Sequence, residues 1–211
     1  KVNSSKIDYS NNWKLIKSKK NFFYKDSKST IKLNSKYVYS KGLLENLCLA
    51  IKIATDLGIK RKIIIKTIPK IMFEARIQYL KKGKLIKKIK PNEKILIDGC
   101  HSETSAINLA NYLKTIKIPI YGIWSMTKNK DPDNFIKNFR GLFKKIYTVP
   151  IENESASLSN KFLFKIAKKN KFKTELSSNF QAAIKKISSK NKKIICIFGS
   201  LYLCGNVLNK N

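Results

Sequence analysis

An α/β fold with a largely parallel sheet and helices on both of its faces is what the 211-residue sequence predicts. Three observations lead there. From residue 94 onward, short apolar runs rich in Ile alternate with segments of helical period, the pattern of strands joined by helical crossovers. The run Lys193-Ile-Ile-Cys-Ile-Phe198 is apolar at every interior position, as expected of a strand buried on both faces. Hydrophobic residues make up 43% of the chain, enough at this length for one substantial core.

Each element follows from local pattern. Residues 1 to 38 are polar and aromatic, and Trp13–Ile16, Asn21–Tyr24 and Thr30–Leu33 read as small strands between Ser, Asn, Lys and Asp turns. Alone they could not bury a core. From Gly42 to Leu57 the apolar residues follow a helical period that stops at Gly58, a suitable residue just past a helix end. A shorter helix runs from Arg61 to Ile68 and is ended by Pro69. Then come strand Lys94–Asp98, helix Thr104–Lys114, strand Ile118–Trp124, helix Asp133–Phe143, strand Lys145–Val149, helix Ser157–Asn170, strand Lys171–Thr174, helix Asn179–Ser188 and strand Lys193–Phe198. The last strand runs into Gly199-Ser200, where another helix starts.

Charge invites a different reading. Lys and Arg number 45 against 13 Asp and Glu, a formal net charge of +32. Yet Arg61, Arg76 and Arg140 are the only arginines, so 42 of the 45 are lysine. Nucleic-acid readers usually mix in arginine, whose planar fork suits phosphates and guanine edges. The chain also holds 30 Ile and 20 Asn, a background resembling A/T-rich coding bias, so the lysines read as a solvated coat. No aromatic stacking platform interleaves with them, and no nucleic-acid partner is expected. A basic nucleic-acid-binding module is kept as the alternative.

Cys48, Cys100, Cys196 and Cys204 form no CxxC pair, and three of them sit in apolar runs, where cysteine behaves as a small buried hydrophobe. With one histidine, zinc is not expected, and no metal ligands are assigned. No signal peptide or membrane-length apolar run is visible, and the expected compartment is the reducing cytoplasm. The sequence starts at Lys1 rather than Met, so it is expected to begin inside a longer reading frame.

Open parallel sheets bind ligands beyond the carboxyl ends of their strands, and the unusual residues fall there. Asp98 and His101 follow the first strand of this series; a carboxylate can accept from ribose hydroxyls, and an imidazole can hold a carboxylate or phosphate oxygen. The plainer alternative is that Asp98 caps the following helix and His101 is a satisfied loop residue. Lys128 and Lys130 follow the next strand, where position rather than identity makes Lys130 of interest, and Asp131-Pro132 also reads as a helix start. Gly199-Ser200 offers close backbone approach, a hydroxyl and an N–H, or simply a tight turn. Arg76 is a rare arginine among lysines, which points to a need for a guanidinium. There is no G-x-x-x-x-G-K-[ST], GxSxG, HExxH or GxGxxG.

Taken in order, these segments resemble the C-terminal domain of folylpolyglutamate synthase/dihydrofolate synthase, of the Mur ligase superfamily. Ile197-Phe-Gly-Ser-Leu-Tyr-Leu-Cys-Gly-Asn-Val-Leu208 is similar to the family's closing "GSLY…G.VL" segment, Ile95 to His101 to its "LDGAHNP" motif, Phe73 to Leu80 to "W-P-[GA]-R-[LF]-Q", and Trp124 to Asp131 to its "KD" segment. The resemblance implies a Rossmann-like domain over residues 39–211. Residues 1–38 would be a short β-rich stub, the tail of a preceding P-loop ATPase domain. It implies an ATP- and Mg²⁺-dependent ligase that joins L-glutamate to dihydropteroate or folate through an acyl phosphate. The metal ligands would lie chiefly in the P-loop domain, and the protein would be a monomer. On that resemblance Arg76 would reach the ATP phosphates, Asp98 the ribose and Asn46 the adenine. His101, Ser102, Lys130 and Ser200 would line the glutamate, with Arg76, His101 and Lys130 carrying catalysis. The chain departs from the family at His101-Ser102-Glu103 in place of "HNP", at Glu74 in place of the Pro of "PGR", and at Gly42–Leu47, which keeps only the Asn of "HQ..NA". Another Mur-type amino-acid ligase domain is the second alternative.

Overall fold

The computed structural model describes residues 12–18, 21–34 and 40–211; the expected boundary at residue 38 lies outside them. Two compact units are present, Lys1–Phe73 and Glu74–Asn211.

In the first unit, β1 (Trp13–Ser18), β2 (Asn21–Asp26) and β3 (Thr30–Lys32) form an antiparallel meander. Helix α1 (Lys41–Asp56) begins where the Ser40 hydroxyl accepts from the Leu43 N–H at 3.2 Å, a side-chain cap for one of the helix's orphan donors. It ends as expected, with Gly58 at φ +79° just past it. Helix α2 spans Arg61–Thr67. The strands do not stand alone: Trp13, Tyr24, Ile31 and Leu33 share one core with Leu47, Cys48, Ile51, Ile64 and Ile68.

The second unit holds a six-stranded sheet. Its strands are β4 (Gln78–Tyr79), β5 (Glu93–Asp98), β6 (Ile120–Trp124), β7 (Lys145–Thr148), β8 (Thr174–Leu176) and β9 (Lys193–Phe198), in the order β4-β5-β9-β6-β7-β8. All pairings are parallel except that of β4, a two-residue edge strand. Helices α3 (Glu103–Leu113), α4 (Pro132–Lys137) and α5 (Asn160–Lys169) connect β5 through β8 in one direction across the sheet. Helix α6 (Phe180–Ile187) carries the chain back to β9, and α7 (Leu201–Lys210) follows. Because strand-to-strand crossovers are right-handed, reversing the direction of travel moves the connecting helix to the other face.

The two cores record this. Leu109, Phe135, Ile136 and Leu163 pack on one face of the sheet, and Ala183, Ile184, Leu203 and Val207 on the other. Strand β9 supplies both by strict alternation: Ile194, Cys196 and Phe198 face the first core, Ile195 and Ile197 the second. All four cysteines are free and buried.

Several boundaries differ from expectation for identifiable reasons. Strand β6 starts at Ile120 rather than Ile118, since Pro119 has no N–H for a central ladder. Helix α4 stops at Lys137, six residues short. The Asn138 amide donates to the carbonyls of Asn134 and Phe135, and the chain continues as i to i+3 turns to Gly141 at φ +76°. Helix α5 starts at Asn160 because Ser159, not Ser157, is its cap. Strand β8 is shifted to Thr174–Leu176, since Lys171 takes a left-handed φ of +63° at the end of α5 and the β7 register begins at Thr174.

Candidate functional site

Strand register sets the site. Asp98 of β5, Phe198 of β9 and Trp124 of β6 are side by side at the carboxyl edge. The chain therefore leaves three adjacent strands at one level. The loop after β9 goes to one face of the sheet, and the loops after β5 and β6 go to the other. A crevice opens where neighbouring connections diverge in this way.

The loop after β5 carries His101 and Ser102. Ser102 caps α3: its hydroxyl accepts from the Ser105 N–H, while the Ser105 hydroxyl accepts from the Ser102 N–H, a reciprocal capping box. Ser102 therefore takes the cap that one reading of the sequence gave to Asp98. His101 is half-buried, with Nδ1 2.9 Å from the Gly99 carbonyl, so a neutral ring protonated there leaves Nε2 as the acceptor. A Cβ at Gly99 would collide with the Leu201 side chain, which fixes how closely the β5 and β9 loops approach.

The loop after β9 has Gly199 at φ +104°, where a Cβ would strike the Ser125 carbonyl and the Trp124 indole. The tight turn expected here is thus present, and a close approach of two loops with it. Ser200, 3% exposed, caps α7 by accepting from the Tyr202 N–H at 3.1 Å. Beside it, the loop after β6 places Lys130 half-buried while Lys128 is exposed. Asp131 caps α4, accepting from the N–H groups of Asp133 and Asn134.

Asp98 is 5% exposed and does structural work on both sides. Oδ2 accepts from the Ile77 N–H and Oδ1 from the Cys100 N–H, each at 2.8 Å. Burial pushes its carboxyl up, against the pull of these two donors and of the Arg76 guanidinium. Asp98 thereby ties the Arg76 segment to the His101 loop, with Gly99 N–H donating to the Ala75 carbonyl at 2.7 Å. Arg76 itself stands between two left-handed residues, Ala75 at φ +53° and Ile77 at φ +46°. For a β-branched residue this is a strained backbone, held by its surroundings and typical of ligand-contacting segments. The Gln78 side chain helps, its Oε1 accepting from the Ala75 N–H at 2.8 Å.

Two polar groups at this edge escaped sequence reasoning. Ser125 Oγ and Trp124 Nε1 are buried without hydrogen-bond partners, although buried polar groups are nearly always paired. A lone serine after an aromatic strand end carries no signature that would mark it. Asn46, the remaining candidate, is exposed on α1 in the first unit. Among the described residues no group of three or more His, Cys, Asp or Glu could hold a metal ion, and no helix is long and apolar enough to cross a membrane.

A doubly wound parallel sheet with its loops converging at the point of reversal defines an α/β domain of the Rossmann-like class. Comparison with known proteins takes this further. A family model described as dihydrofolate synthetase, C-terminal domain, matches residues 81–210. The chain belongs to that family. No curated protein sequence matches it. Among solved structures it is similar to a Mycobacterium tuberculosis folylpolyglutamate synthase complexed with ADP, at 13% identity and a TM-score of 0.81 over 95% of this chain and 48% of that one. It is also similar to the folylpolyglutamate synthase of Thermotoga maritima, at 19% identity and a TM-score of 0.74 over 95% and 47%. A bifunctional folylpolyglutamate synthase/dihydrofolate synthase with Mn, AMPPNP and L-glutamate bound matches at 14% and 0.73 over 95% and 46%. At these identities the likeness establishes the fold, and the chain spans about half the length of these structures.

Proposed function

We propose that this chain supplies the C-terminal, glutamate-side half of an ATP-dependent amide ligase that adds L-glutamate to dihydropteroate, folate or both. The family match over residues 81–210 carries the reading, and the loops gathered after β5, β9 and β6 give it a site. On this reading residues 1–38 are the tail of a P-loop domain and 39–211 the glutamate-side domain, the protein is a monomer, and Mg²⁺ is held mainly by the P-loop domain. Four buried, free thiols fit a reducing, cytoplasmic setting.

The substrate carboxylate is activated as an acyl phosphate, which the glutamate amine attacks, expelling phosphate and leaving an amide. The residues of this chain bind and orient. Arg76, pre-set by its strained neighbours, pairs with ATP phosphates in the fork geometry a lysine lacks, and Asn46 meets the adenine. Asp98 reaches ribose through the lone pairs that Ile77 and Cys100 leave free. Lys130, His101, Ser102 and Ser200 take the glutamate carboxylates, the serines at the starts of α3 and α7, where helix ends favour anions. An amine held against an acyl phosphate gains chiefly from proximity. ATP-, Mg²⁺- and glutamate-dependent conversion of dihydropteroate or folate by the intact, P-loop-bearing protein is the test. Arg76→Ala is expected to lower kcat/KM about a hundredfold; absence of turnover in the intact protein, or an Arg76→Ala variant equal to it, would remove the proposal.

A further inference from the structure

The lysine excess is not spread evenly over the second unit. Since β5, β9, β6, β7 and β8 are all parallel, the segments leading into them lie at one end of the sheet and the segments leaving them at the other. The leading segments, 87–92, 114–119, 138–144, 170–173 and 188–192, hold eleven Lys or Arg and no Asp or Glu. The leaving segments, 99–102, 125–131, 149–159, 177–179 and 199–200, are of nearly equal total length and hold two lysines and three carboxylates. A uniform coat at the chain's mean lysine and arginine content would put about six cations in each set. All eleven cations at the amino end are exposed. The two carboxylates nearest them are already matched, Glu93 by Lys193 and Glu175 by Lys145 and Lys186.

This end also has relief. A cleft of about 730 Å³ opens between the starts of β6, β7 and β8, with Lys117, Lys144 and Lys173 among its lining and Ile118, Leu142 and Phe143 beneath. A second, of about 410 Å³, joins Tyr121 and Tyr147 with Lys144, Lys186 and Lys192. Strands about 4.8 Å apart set these cationic stations along a line of about 20 Å.

We propose that the amino-end face of the sheet binds the phosphate backbone of single-stranded nucleic acid, without reading its sequence. Cations at five successive strand starts fit a polymer whose charges repeat, and lysines act as point charges on phosphates without a fork for base edges. The larger cleft, floored by half-buried Ile118, Leu142 and Phe143, offers an unstacked base an apolar surface that inorganic polyphosphate cannot use. The face lies at the opposite end of the strands from the loops of the ligase site.

The test uses the full chain and a fluorescein-labelled oligouridine of about 12 nucleotides, followed by anisotropy across a salt series. The triple variant Lys117→Glu/Lys144→Glu/Lys192→Glu is compared with Lys62→Glu/Lys66→Glu/Lys161→Glu, which changes net charge equally at exposed positions elsewhere. The first triple is expected to weaken binding at least tenfold and to lower the slope of log Kd against log salt by about 2. The control triple should change affinity less than about threefold, and Lys→Arg at the three amino-end positions should retain binding. Lys→Gln versions read the same positions should a charge reversal impair folding. Equal losses in both triples, no saturable binding at about 0.15 M salt, or displacement of the probe by inorganic polyphosphate but not by unlabelled oligouridine would overturn the proposal.

Discussion

Glu93 and Lys193 open their strands as register partners and are buried together, Oε1 to Nζ 3.3 Å, with the Ser188 hydroxyl and the N–H groups of Lys90 and Ser189 also donating to the carboxylate. Burial alone would raise the Glu93 pKa; these donors outweigh it and hold the carboxyl below its ordinary value. Glu93→Gln would leave a buried ammonium without a counter-charge, at an expected cost of about 3 kcal/mol in urea unfolding at neutral pH. The sign of the pH effect follows from the lowered native pKa. Stability from this carboxyl is fully present above the unfolded-state pKa of about 4.3 and is lost as pH falls through the native one. Unfolding midpoints between about pH 5 and 2 should therefore fall less steeply with acid in Glu93→Gln than in the parent. Arg76 is the contrasting case, because its rarity in a lysine-rich chain was visible in the sequence and its setting was not. Alanine and isoleucine give no sign of a left-handed backbone, and the groups that impose it, Asp98 and Gln78, act through pairings that exist only once β4 lies against β5.

Elements were legible in proportion to how fully they are buried. Strand β9 has the bounds that its sequence indicated, since the five apolar residues Ile194–Phe198 are buried on both faces and follow a single charged residue, Lys193, at its start. Helix α4 was overread, because Phe139 and Phe143 continue an apolar period that serves the core equally well from turns as from helix. Strand β4 is too short for any periodicity, and the length of α7 is obscured by Gly205. Of the caps, Asp131 was legible as a helix start, while Ser40 and Asn179, which likewise stand one residue before a helix and accept from its first turn, were not. Removing the capping box with Ser102→Ala should cost about 1 kcal/mol in urea unfolding, while Ser102→Asp, which can still cap, should cost much less. Were the two substitutions equally costly, the role of Ser102 would lie outside the cap.

At the scale of the whole molecule, the second unit has a sheet and two cores of its own. A fragment spanning Glu74–Asn211 is therefore expected to unfold in a single cooperative transition, with dispersed amide resonances in an NMR spectrum. A collapsed spectrum would mean that the unit depends on the first 73 residues. Net charge, by contrast, was easy to count and hard to interpret in one dimension. Eleven cations and no carboxylate at one end of the sheet emerge only when the loops are sorted by strand direction, which the sequence does not display.

The place of β9 has a consequence for the order in which the protein comes into being. Strands β5 and β6 have no ladder with each other; both pair with β9, which is formed by the last of the sheet residues to be synthesised. A nascent chain halted before Lys193 holds β4-β5 and β6-β7-β8 as separate ribbons, each with a bare apolar edge open to unwanted partners. The loops bearing His101 and Lys130 are not brought to a common crevice until the strand between them arrives. Translation must thus pass Phe198 before the site exists, and a product truncated short of β9 is left as a substrate for chaperones and proteases.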